Sequence, residues 1–209
     1  TATDDCGNAT SATQTITVVD TTVPSIDTSA SALTVECDGA GNAADLQAWL
    51  DSNGGGATAS DICSGVTWSH DFTSFFNDCG ITGSVTVIFT ATDDCNNEST
   101  TTQTFTIEDT TDPSIDTSAS ALTVECDGAG NAADLQAWLD SNGGGATASD
   151  ICSGVTWSHD FTSLSDDCGA TGSATVTFTA TDDCDNESTT TQTITIIDTT
   201  SPVLTIPAD

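Results

Sequence analysis

The most telling feature of this chain is the absence of lysine and arginine. Its 209 residues contain no lysine or arginine but 32 aspartates and glutamates, so the formal net charge is −32. Nucleic acids and anionic membranes are excluded as partners, because both are bound through basic residues that displace counterions. Lysine–asparagine cross-links are excluded as well. The carboxylates must therefore be solvated, screened by salt or neutralised by bound cations, among which divalent metals are the first candidates.

Signatures of other metal and membrane sites are missing too. No two cysteines have the Cys-x-x-Cys spacing typical of zinc sites, and neither an EF-hand loop nor a glycine-rich Ca²⁺ nonapeptide occurs. No apolar run is long enough to cross a bilayer, so we expect no membrane insertion in this segment. The nine cysteines indicate disulfides in an oxidising compartment. We predict a secreted or cell-surface protein.

An internal repeat of 89 residues organises the chain. Residues 20–108 return as residues 109–197 with only ten differences. The differing pairs are 23/112, 75/164, 76/165, 77/166, 81/170, 85/174, 88/177, 96/185, 105/194 and 108/197. We predict two complete repeats, preceded by the C-terminal strands of another repeat at residues 1–19 and followed by the start of a further one at residues 198–209. Such arrays gain length with every copy, which favours a structural role.

The repeat has the pattern of β-structure. Residues 85–92 and 101–107 alternate apolar residues with threonine, as half-buried strands do, and residues 93–97 have the composition of the turn between them. Further strands are predicted at residues 32–36, 57–60 and 66–72. Short strands in a unit of this size indicate an all-β fold class of tandem immunoglobulin-like (Ig-like) β-sandwiches.

One short helix is predicted at residues 42–52. Asn42 has the position of an N-cap, an apolar face that includes Trp49 points inward, and three glycines at residues 54–56 end the helix. We expect Trp49, and Trp68 within a predicted strand, to be core residues.

Several motifs recur in phase in both repeats. They are Thr-Ala-Thr-Asp-Asp-Cys at residues 1–6 and 90–95, Leu-Thr-Val-Glu-Cys at 33–37, Ser-Asp-Ile-Cys at 60–63 and Asp-Thr-Thr-x-Pro linkers at 20–24 and 109–113. These motifs resemble the hyalin-repeat (HYR) and related Ig-like modules. Such modules occur in very long secreted surface proteins, including giant adhesins of Bacteroidota. The helix at residues 42–52 departs from that pattern.

Strand directions predict the disulfide pairing. A nine-residue strand separates Cys79 from Cys95, which places them about 30 Å apart, whereas a disulfide spans at most about 7 Å between Cα atoms. Alternating strands place Cys37 and Cys79 at one pole of the repeat and Cys63 and Cys95 at the other. The predicted pairs are Cys37–Cys79, Cys63–Cys95, Cys126–Cys168 and Cys152–Cys184, two in each repeat, with Cys6 alone unpaired. Pairing of Cys37 with Cys63 is the alternative if residues 57–60 form a loop.

The same geometry gathers acidic residues where repeats join. Ca²⁺ is coordinated by about six to eight oxygen ligands, which the carboxylates at such a joint could supply. The predicted ligands at the first joint are Asp20, Asp61, Asp93 and Asp94, and those at the second are Asp109, Asp112, Asp150, Asp182 and Asp183. Val23 stands at the position of Asp112, which weakens the first of these sites.

Catalysis has little support in the sequence. The two histidines, His70 and His159, lie in Trp-Ser-His-Asp runs on predicted strands, where the adjacent serine points to the opposite face. Paired acids such as Asp93 and Asp94 lie in exposed turns that lack the burial needed to shift a pKa. We predict that this segment is not an enzyme.

Two kinds of glycosylation motif occur. Asp-Thr-Thr in the linkers resembles a bacterial O-glycosylation acceptor, which would mark Thr21, Thr110 and Thr199. Asn-x-Ser/Thr sequons begin at Asn8, Asn97 and Asn186. Short motifs of this kind also occur as unmodified polar turns.

These observations favour a stalk of a long cell-surface adhesin or fibre, stiffened by disulfides and by Ca²⁺ at the joints. Its partners would be neighbouring repeats of the same chain, with surface glycans or proteins in addition. One alternative is a multivalent array that binds carbohydrate or protein, because three of the ten differences cluster at residues 75–77. The other is an extracellular filament subunit that assembles by strand exchange.

Overall fold

The computed structural model describes residues 1–205 and consists mainly of short β-strands. Spatial contacts divide the chain into two compact units. The first comprises Thr1–Ser31, Trp49–Phe72 and Val87–Gln103, and the second comprises Ala32–Ala48, Thr73–Thr86 and the chain from Thr104 onward. The second unit therefore contains the whole second repeat, residues 109–197, together with three segments of the first repeat.

Residues 109–197 form an Ig-like β-sandwich. The elements are β10 (Ser114–Thr117), β11 (Leu122–Glu125), α3 (Ala132–Asp140), α4 (Asn142–Gly145), β12 (Thr147–Ser149), β13 (Val155–His159), β14 (Gly172–Asp182) and β15 (Glu187–Ile197). Strands β10 and β12 form a two-stranded antiparallel sheet, and the second sheet has the order β11-β15-β14-β13. Strand β11 pairs with β15 in parallel, from Leu122 with Ile194 to Glu125 with Ile197.

The first repeat has the same elements 89 residues earlier. They are β3 (Ser25–Thr28), β4 (Leu33–Glu36), α1 (Ala43–Asp51), α2 (Asn53–Gly56), β5 (Thr58–Ser60), β6 (Val66–His70), β7 (Phe76–Asn77), β8 (Gly83–Asp93) and β9 (Glu98–Glu108). The sheet order is β4-β9-β8-β6, with β3 paired to β5 and the short β7 added to β8. Before them, β1 (Ala2–Thr3) and β2 (Ala9–Thr10) form only the tip of a hairpin. The prediction of tandem Ig-like sandwiches with a short helix is confirmed.

Alternation along β14 explains how a threonine-rich strand makes a core. Val176, Phe178 and Ala180 are fully buried, and the threonines between them face outward. Trp138 of α3 packs edge-on against Phe178, with ring centroids 5.2 Å apart, and its indole N–H donates to the carbonyl oxygen of Ser120 at 2.8 Å. Trp157 is partly buried against this core. The prediction that the equivalent Trp49 is a core residue is confirmed, since it is 3% exposed.

The helix predicted at residues 42–52 spans Ala43–Asp51, and its equivalent in the second repeat shows how both ends differ from the prediction. Asn131 precedes α3 in a left-handed conformation, and its side chain does not cap the helix. Its amide instead donates to the carbonyl oxygen of Glu125 and to Asp134 Oδ2, each at 3.0 Å. At the other end Gly143 has a φ of +73°, and a Cβ there would collide with Phe178.

Strands β3 and β10 were not predicted, because each has one apolar residue in four.

Candidate functional site

The two disulfides of the structure join the repeats to each other. Cys37 bonds Cys152, with Cα atoms 6.1 Å apart, and Cys79 bonds Cys184, with Cα atoms 5.3 Å apart. Both bonds lie within the second compact unit. Each links a cysteine of residues 20–108 to one of residues 109–197, on either side of the Asp109–Pro113 linker.

The predicted pairing within each repeat is therefore wrong, and so is the alternative of Cys37 with Cys63. The predicted poles were correct: the Cys37 N–H donates to the carbonyl oxygen of Glu108, at the exit of β9, and Cys126 Sγ contacts the carbonyl oxygen of Ala170 near Cys168. The prediction was wrong about which cysteine each of these residues bonds. Where two repeats meet, the cysteines nearest to one pole belong to the facing pole of the next repeat.

Five cysteines have free thiols, which contradicts the expectation that only Cys6 would. They are Cys6, Cys63, Cys95, Cys126 and Cys168. Cys63 and Cys95 are the repeat equivalents of Cys152 and Cys184, and Cys126 and Cys168 those of Cys37 and Cys79. The pKa of the Cys63 thiol is raised, chiefly by the Asp20 carboxylate and then by desolvation, with smaller contributions from Asp61, Cys95 and Asp93.

Backbone atoms also meet at the junction. The Ile81 N–H donates to the carbonyl oxygen of Cys152 at 3.2 Å. A Cβ on Gly80 would overlap that same carbonyl oxygen, and a Cβ on Gly39 would lie 2.5 Å from Cγ1 of Ile151. Both glycines have positive φ, +57° and +77°. The two repeats therefore approach each other closely where a side chain would hold them apart.

Glu36, at the end of β4, holds the linker. Its carboxylate accepts from the Thr110 N–H at 2.8 Å, the Thr110 hydroxyl at 3.0 Å and the Thr111 hydroxyl at 2.9 Å. The Thr110 N–H, followed by the Thr111 hydroxyl, lowers the pKa of Glu36 below its ordinary value. Glu125 makes the same three contacts with Thr199 and Thr200. Sequence analysis missed this role, although Glu36 and the linker threonines recur in phase.

We expect Glu36→Gln to loosen the linker between the repeats. Because the folded-state pKa is lowered, this contribution is present above the unfolded pKa and is lost as pH falls through the folded pKa. Hydrogen exchange at the Thr110 amide should speed up in the variant at pH 7, and in the parent only on acidification into the range below the ordinary carboxyl pKa. Glu125→Gln is the matched control and should leave the Thr110 amide unchanged. Equal protection of Thr110 in parent and variant would contradict this role.

Asp109 is the most unusual carboxylate of the junction. It is 8% exposed, its Oδ1 accepts from the Thr111 N–H at 3.2 Å, and its Oδ2 is buried without a hydrogen-bond partner. Desolvation is the largest influence and raises the pKa of Asp109, opposed by the Thr111 N–H and reinforced by Asp150, Asp182 and Glu36. Ligand atoms of Asp109, Asp150 and Cys152 lie within 4.8 Å of one another. Cys152 is in a disulfide, so the two carboxylates are the donors suited to a hard cation.

The other predicted ligands are distributed unevenly. Asp20 and Asp61 come together beside Cys63, and Asp20 Oδ2 is also buried without a partner. Asp182 and Asp93 are buried, but both oxygens of each accept hydrogen bonds from the β-turn that follows. Asp183 Oδ2 accepts from the Gly154 N–H at 3.2 Å. Asp94 is exposed, and Asp112 lines a surface groove with Asp150 and Ile151.

The predicted glycosylation residues differ in their surroundings. Thr110 and Thr199 use their hydroxyls to bind Glu36 and Glu125, at 3.0 and 2.9 Å, whereas Thr21 is exposed. The amide of Asn186 donates to Asp182 and to the carbonyl oxygen of Asp109, so this sequon asparagine has a structural role at the junction. Glycosylation at all of these positions stays a prediction.

The histidines lie beside aromatic rings rather than in a constellation with a nucleophile. His159 is exposed and packs edge-on against Phe178, with centroids 6.0 Å apart, and His70 does so against Phe89 at 6.2 Å. Among residues 1–205, no helix is long and apolar enough to span a bilayer.

Comparison with known proteins gives only distant similarity. No protein-family model and no curated protein matches this sequence. Domains 1–5 of protocadherin gamma B2 match 86% of this chain at 14% identity and a TM-score of 0.32. Drosophila N-cadherin EC1-4 matches 85% at 9% identity (0.35), and human protocadherin-24 EC1-2 matches 86% at 12% identity (0.34). This chain covers 41%, 50% and 100% of those chains. Such TM-scores are too low to identify a family, and the HYR resemblance stays a prediction.

Proposed function

We propose that this chain is a spacer segment of an extracellular cell-surface protein, in which each 89-residue repeat adds length and each joint is locked covalently. The observation that carries the proposal is the pair of disulfides Cys37–Cys152 and Cys79–Cys184 across one joint. Two bonds at separate points oppose both bending and rotation, whereas a single bond would leave an axis of rotation. The role in an adhesin or fibre, and the repeat boundaries at residues 20, 109 and 198, belong to this proposal.

The alternative of a diversified binding array loses its main support. The differing pairs 75/164 and 105/194 change together: Phe75 packs edge-on against Phe105 at 5.8 Å, and Leu164 packs against the core that contains Ile194. The cluster of differences at residues 75–77 thus includes a matched core replacement. Compensating core changes of this kind are expected when two copies of a spacer repeat each keep their own core packed.

The proposal is tested by scattering from the intact chain and from a variant with all four junction cysteines changed to serine. We expect one narrow distribution of distances between the repeats for the intact chain and a broader one for the variant. Identical distributions would remove the disulfides as the source of stiffness. Binding of the intact chain to a panel of glycans, with affinity rising with repeat number, would favour the binding array instead.

A divalent cation, Ca²⁺ in particular, is the second component of the joint. The buried Asp109 Oδ2 has no hydrogen-bond partner and lies beside Asp150, in a chain that has no lysine or arginine to neutralise either carboxylate. Burial of an uncompensated charge is costly. A bound cation would remove that cost, with the Asp109 and Asp150 carboxylates as ligands and water completing the shell.

We expect Asp109→Asn to raise the unfolding temperature in chelator and to abolish the stabilisation by Ca²⁺. For a site with a dissociation constant of about 1 mM, 10 mM Ca²⁺ adds about 1.4 kcal/mol to the parent. Asp198→Asn is the matched control, since Asp198 holds the same repeat position but is exposed. An unfolding temperature of the parent that does not change with Ca²⁺ would remove the metal and leave the disulfides and prolines as the stiffening elements.

A further inference from the structure

The two disulfides of the joint differ in their accessibility to solvent. Cys37 and Cys152 are buried, with 7% and 4% of their surfaces exposed. Cys79 and Cys184 are half-buried, and both line a surface groove of about 240 Å³. Thiol–disulfide exchange begins when a thiolate attacks a disulfide sulfur, so its rate depends on access to that sulfur. The Cys79–Cys184 bond is therefore open to a small thiol, whereas the Cys37–Cys152 bond is covered.

A buried hydroxyl lies beside the accessible bond. Thr82 is 3% exposed, and its Oγ1 lies 3.1 Å from Cys79 Sγ and 4.0 Å from Cys184 Sγ. The hydroxyl donates to the carbonyl oxygen of Cys79 at 2.7 Å, and the Cys79 N–H donates to the hydroxyl oxygen at 3.3 Å. A thiolate is a stronger acceptor than a disulfide sulfur, so the hydroxyl can turn from the carbonyl to Cys79 when the bond opens.

The second repeat contains the same loop with a thiol in it. Thr171 Oγ1 lies 3.4 Å from the sulfur of Cys168 and donates to the carbonyl oxygen of Cys168 at 2.8 Å. The thiol of Cys168 is free in the structure. The threonine and the cysteine thus adopt the same arrangement with either form of sulfur, and reduction of Cys79 requires no rearrangement of its own loop.

The charge of the groove selects among thiols. Asp78, Glu108 and Asp109 line it beside the Cys79–Cys184 bond, and the chain has no lysine or arginine to offset them. An anionic thiol is repelled by these carboxylates, whereas a thiol that carries an ammonium group is attracted. The groove therefore favours a reductant that is neutral or positively charged apart from its sulfur.

We propose that the joint is a two-stage redox switch, in which a small neutral or cationic thiol opens Cys79–Cys184 first and Thr82 stabilises the departing Cys79 thiolate. The covered Cys37–Cys152 bond keeps the repeats attached and leaves an axis of rotation between them. Reduction of one bond thus converts a locked joint into a swivel without releasing the chain beyond it. This inference rests on the proposed function, because it concerns the regulation of the same joint.

The exchange is balanced with a neutral dithiol such as dithiothreitol. One thiolate of the reagent attacks Cys184 Sγ and forms a mixed disulfide, while the electron pair of the broken bond leaves on Cys79 Sγ. The second thiolate of the reagent then attacks the reagent sulfur of the mixed disulfide, closes a ring and releases the Cys184 thiolate. The protein disulfide is reduced to two cysteines, the dithiol is oxidised to a cyclic disulfide, and its two protons pass through water to the cysteines.

The order of opening is tested on the full chain by differential alkylation. The free thiols are first blocked with iodoacetamide, the chain is exposed to dithiothreitol, and new thiols are labelled with a heavy reagent and located after cleavage at acidic residues. We expect Cys79 and Cys184 to be labelled roughly tenfold faster than Cys37 and Cys152. Equal rates, or earlier labelling of the covered pair, would overturn the proposal.

The charge selection has its own measurement. At equal thiolate concentration, cysteamine, which carries an ammonium group, should open Cys79–Cys184 faster than mercaptopropionate, which carries a carboxylate. Added salt should bring the two rates together, because it screens the carboxylates of the groove. Equal rates at low salt would overturn the selection by charge.

Thr82→Val removes the hydroxyl and keeps the shape of the side chain. The rate at which Cys79–Cys184 opens should fall by roughly tenfold. Thr82→Ser keeps a hydroxyl and should restore the rate, and Thr171→Val, the matched control, should leave it unchanged. If Thr82 had only a structural role, its loss would loosen the joint and speed the opening. An unchanged or faster rate in Thr82→Val would therefore overturn the role of Thr82.

Scattering from the half-reduced, alkylated chain measures the mechanical effect. The distribution of distances between the repeats should be broader than in the intact chain and narrower than in the variant with all four junction cysteines changed to serine. Cys79→Ser with Cys184→Ser should reproduce it. If the half-reduced chain keeps the distribution of the intact chain while the four-serine variant broadens, the switch is overturned and the spacer proposal stands. If the four-serine variant does not broaden either, the spacer proposal fails as well.

Discussion

Changing Cys37, Cys152, Cys79 and Cys184 together to serine is expected to lower the free energy of unfolding by roughly 8 kcal/mol. The bonds join residues 115 and 105 positions apart, and closing a loop of that length in the unfolded chain is worth about 4 to 5 kcal/mol. The second bond adds less than the first, because the first has already shortened the path between its ends. Guanidinium unfolding followed by tryptophan fluorescence measures the loss, since all four tryptophans lie in the two repeats.

The matched control for that variant is Cys63→Ser with Cys95→Ser. These residues have the same repeat positions as Cys152 and Cys184 but are exposed and unbonded. Their replacement should change the free energy of unfolding by less than about 0.5 kcal/mol. Similar losses in both variants would mean that cysteine burial rather than cross-linking stabilises the chain, and no loss in either would contradict the pairing.

Gly80→Ala is expected to cost about 3 kcal/mol, against about 1 kcal/mol for Gly169→Ala. Both positions have a left-handed backbone, with φ of +57° and +63°, so both variants incur the same conformational cost of about 1 kcal/mol. Only at Gly80 would the added methyl meet the carbonyl oxygen of Cys152. Separating those atoms strains the junction by a further 1 to 3 kcal/mol or so, as overpacking does in a core.

The difference between these two variants isolates the docking of one repeat on the next, because the backbone conformation is matched and the following residue differs only in its side chain, Ile81 against Ala170. Guanidinium unfolding supplies the comparison, and a crystal structure or hydrogen exchange at the Ile81 amide locates the change. If the two substitutions cost the same, then Gly80 does not lie against the second repeat, and the close approach described for the junction is incorrect.

Most of the fold could be predicted from the periodic spacing of apolar residues along the sequence. Alternating apolar residues and threonines located the long hairpin strands, because a strand buried on one face needs a period of two. Trp49 was placed in the core by its position on the apolar face of a helix ended by glycines. Strands with a single apolar residue, such as Ser25–Thr28, have no such signal and are fixed by pairing with distant strands.

The features of the candidate site that arise within one repeat could be predicted from the sequence, whereas the contacts between repeats could not. Strand direction placed Cys37 and Cys79 at the same pole, which the structure bears out, but direction within a repeat carries no information about what faces that pole. The role of Asp109 was foreseen in kind, as an acid at the joint. Its burial, and the use of Asp182 to hold a turn instead, depend on the path of the linker, which local sequence does not determine.

The two overlapping disulfides also determine what happens when a protease cuts the backbone. Cys37–Cys152 and Cys79–Cys184 overlap along the chain, so residues 38–183 lie within at least one covalent ring. A protease that cuts once between the repeats, for example at the linker, produces two fragments that stay attached through both bonds. Cleavage of the linker therefore does not release the part of the protein beyond it, and only reduction combined with cleavage does so.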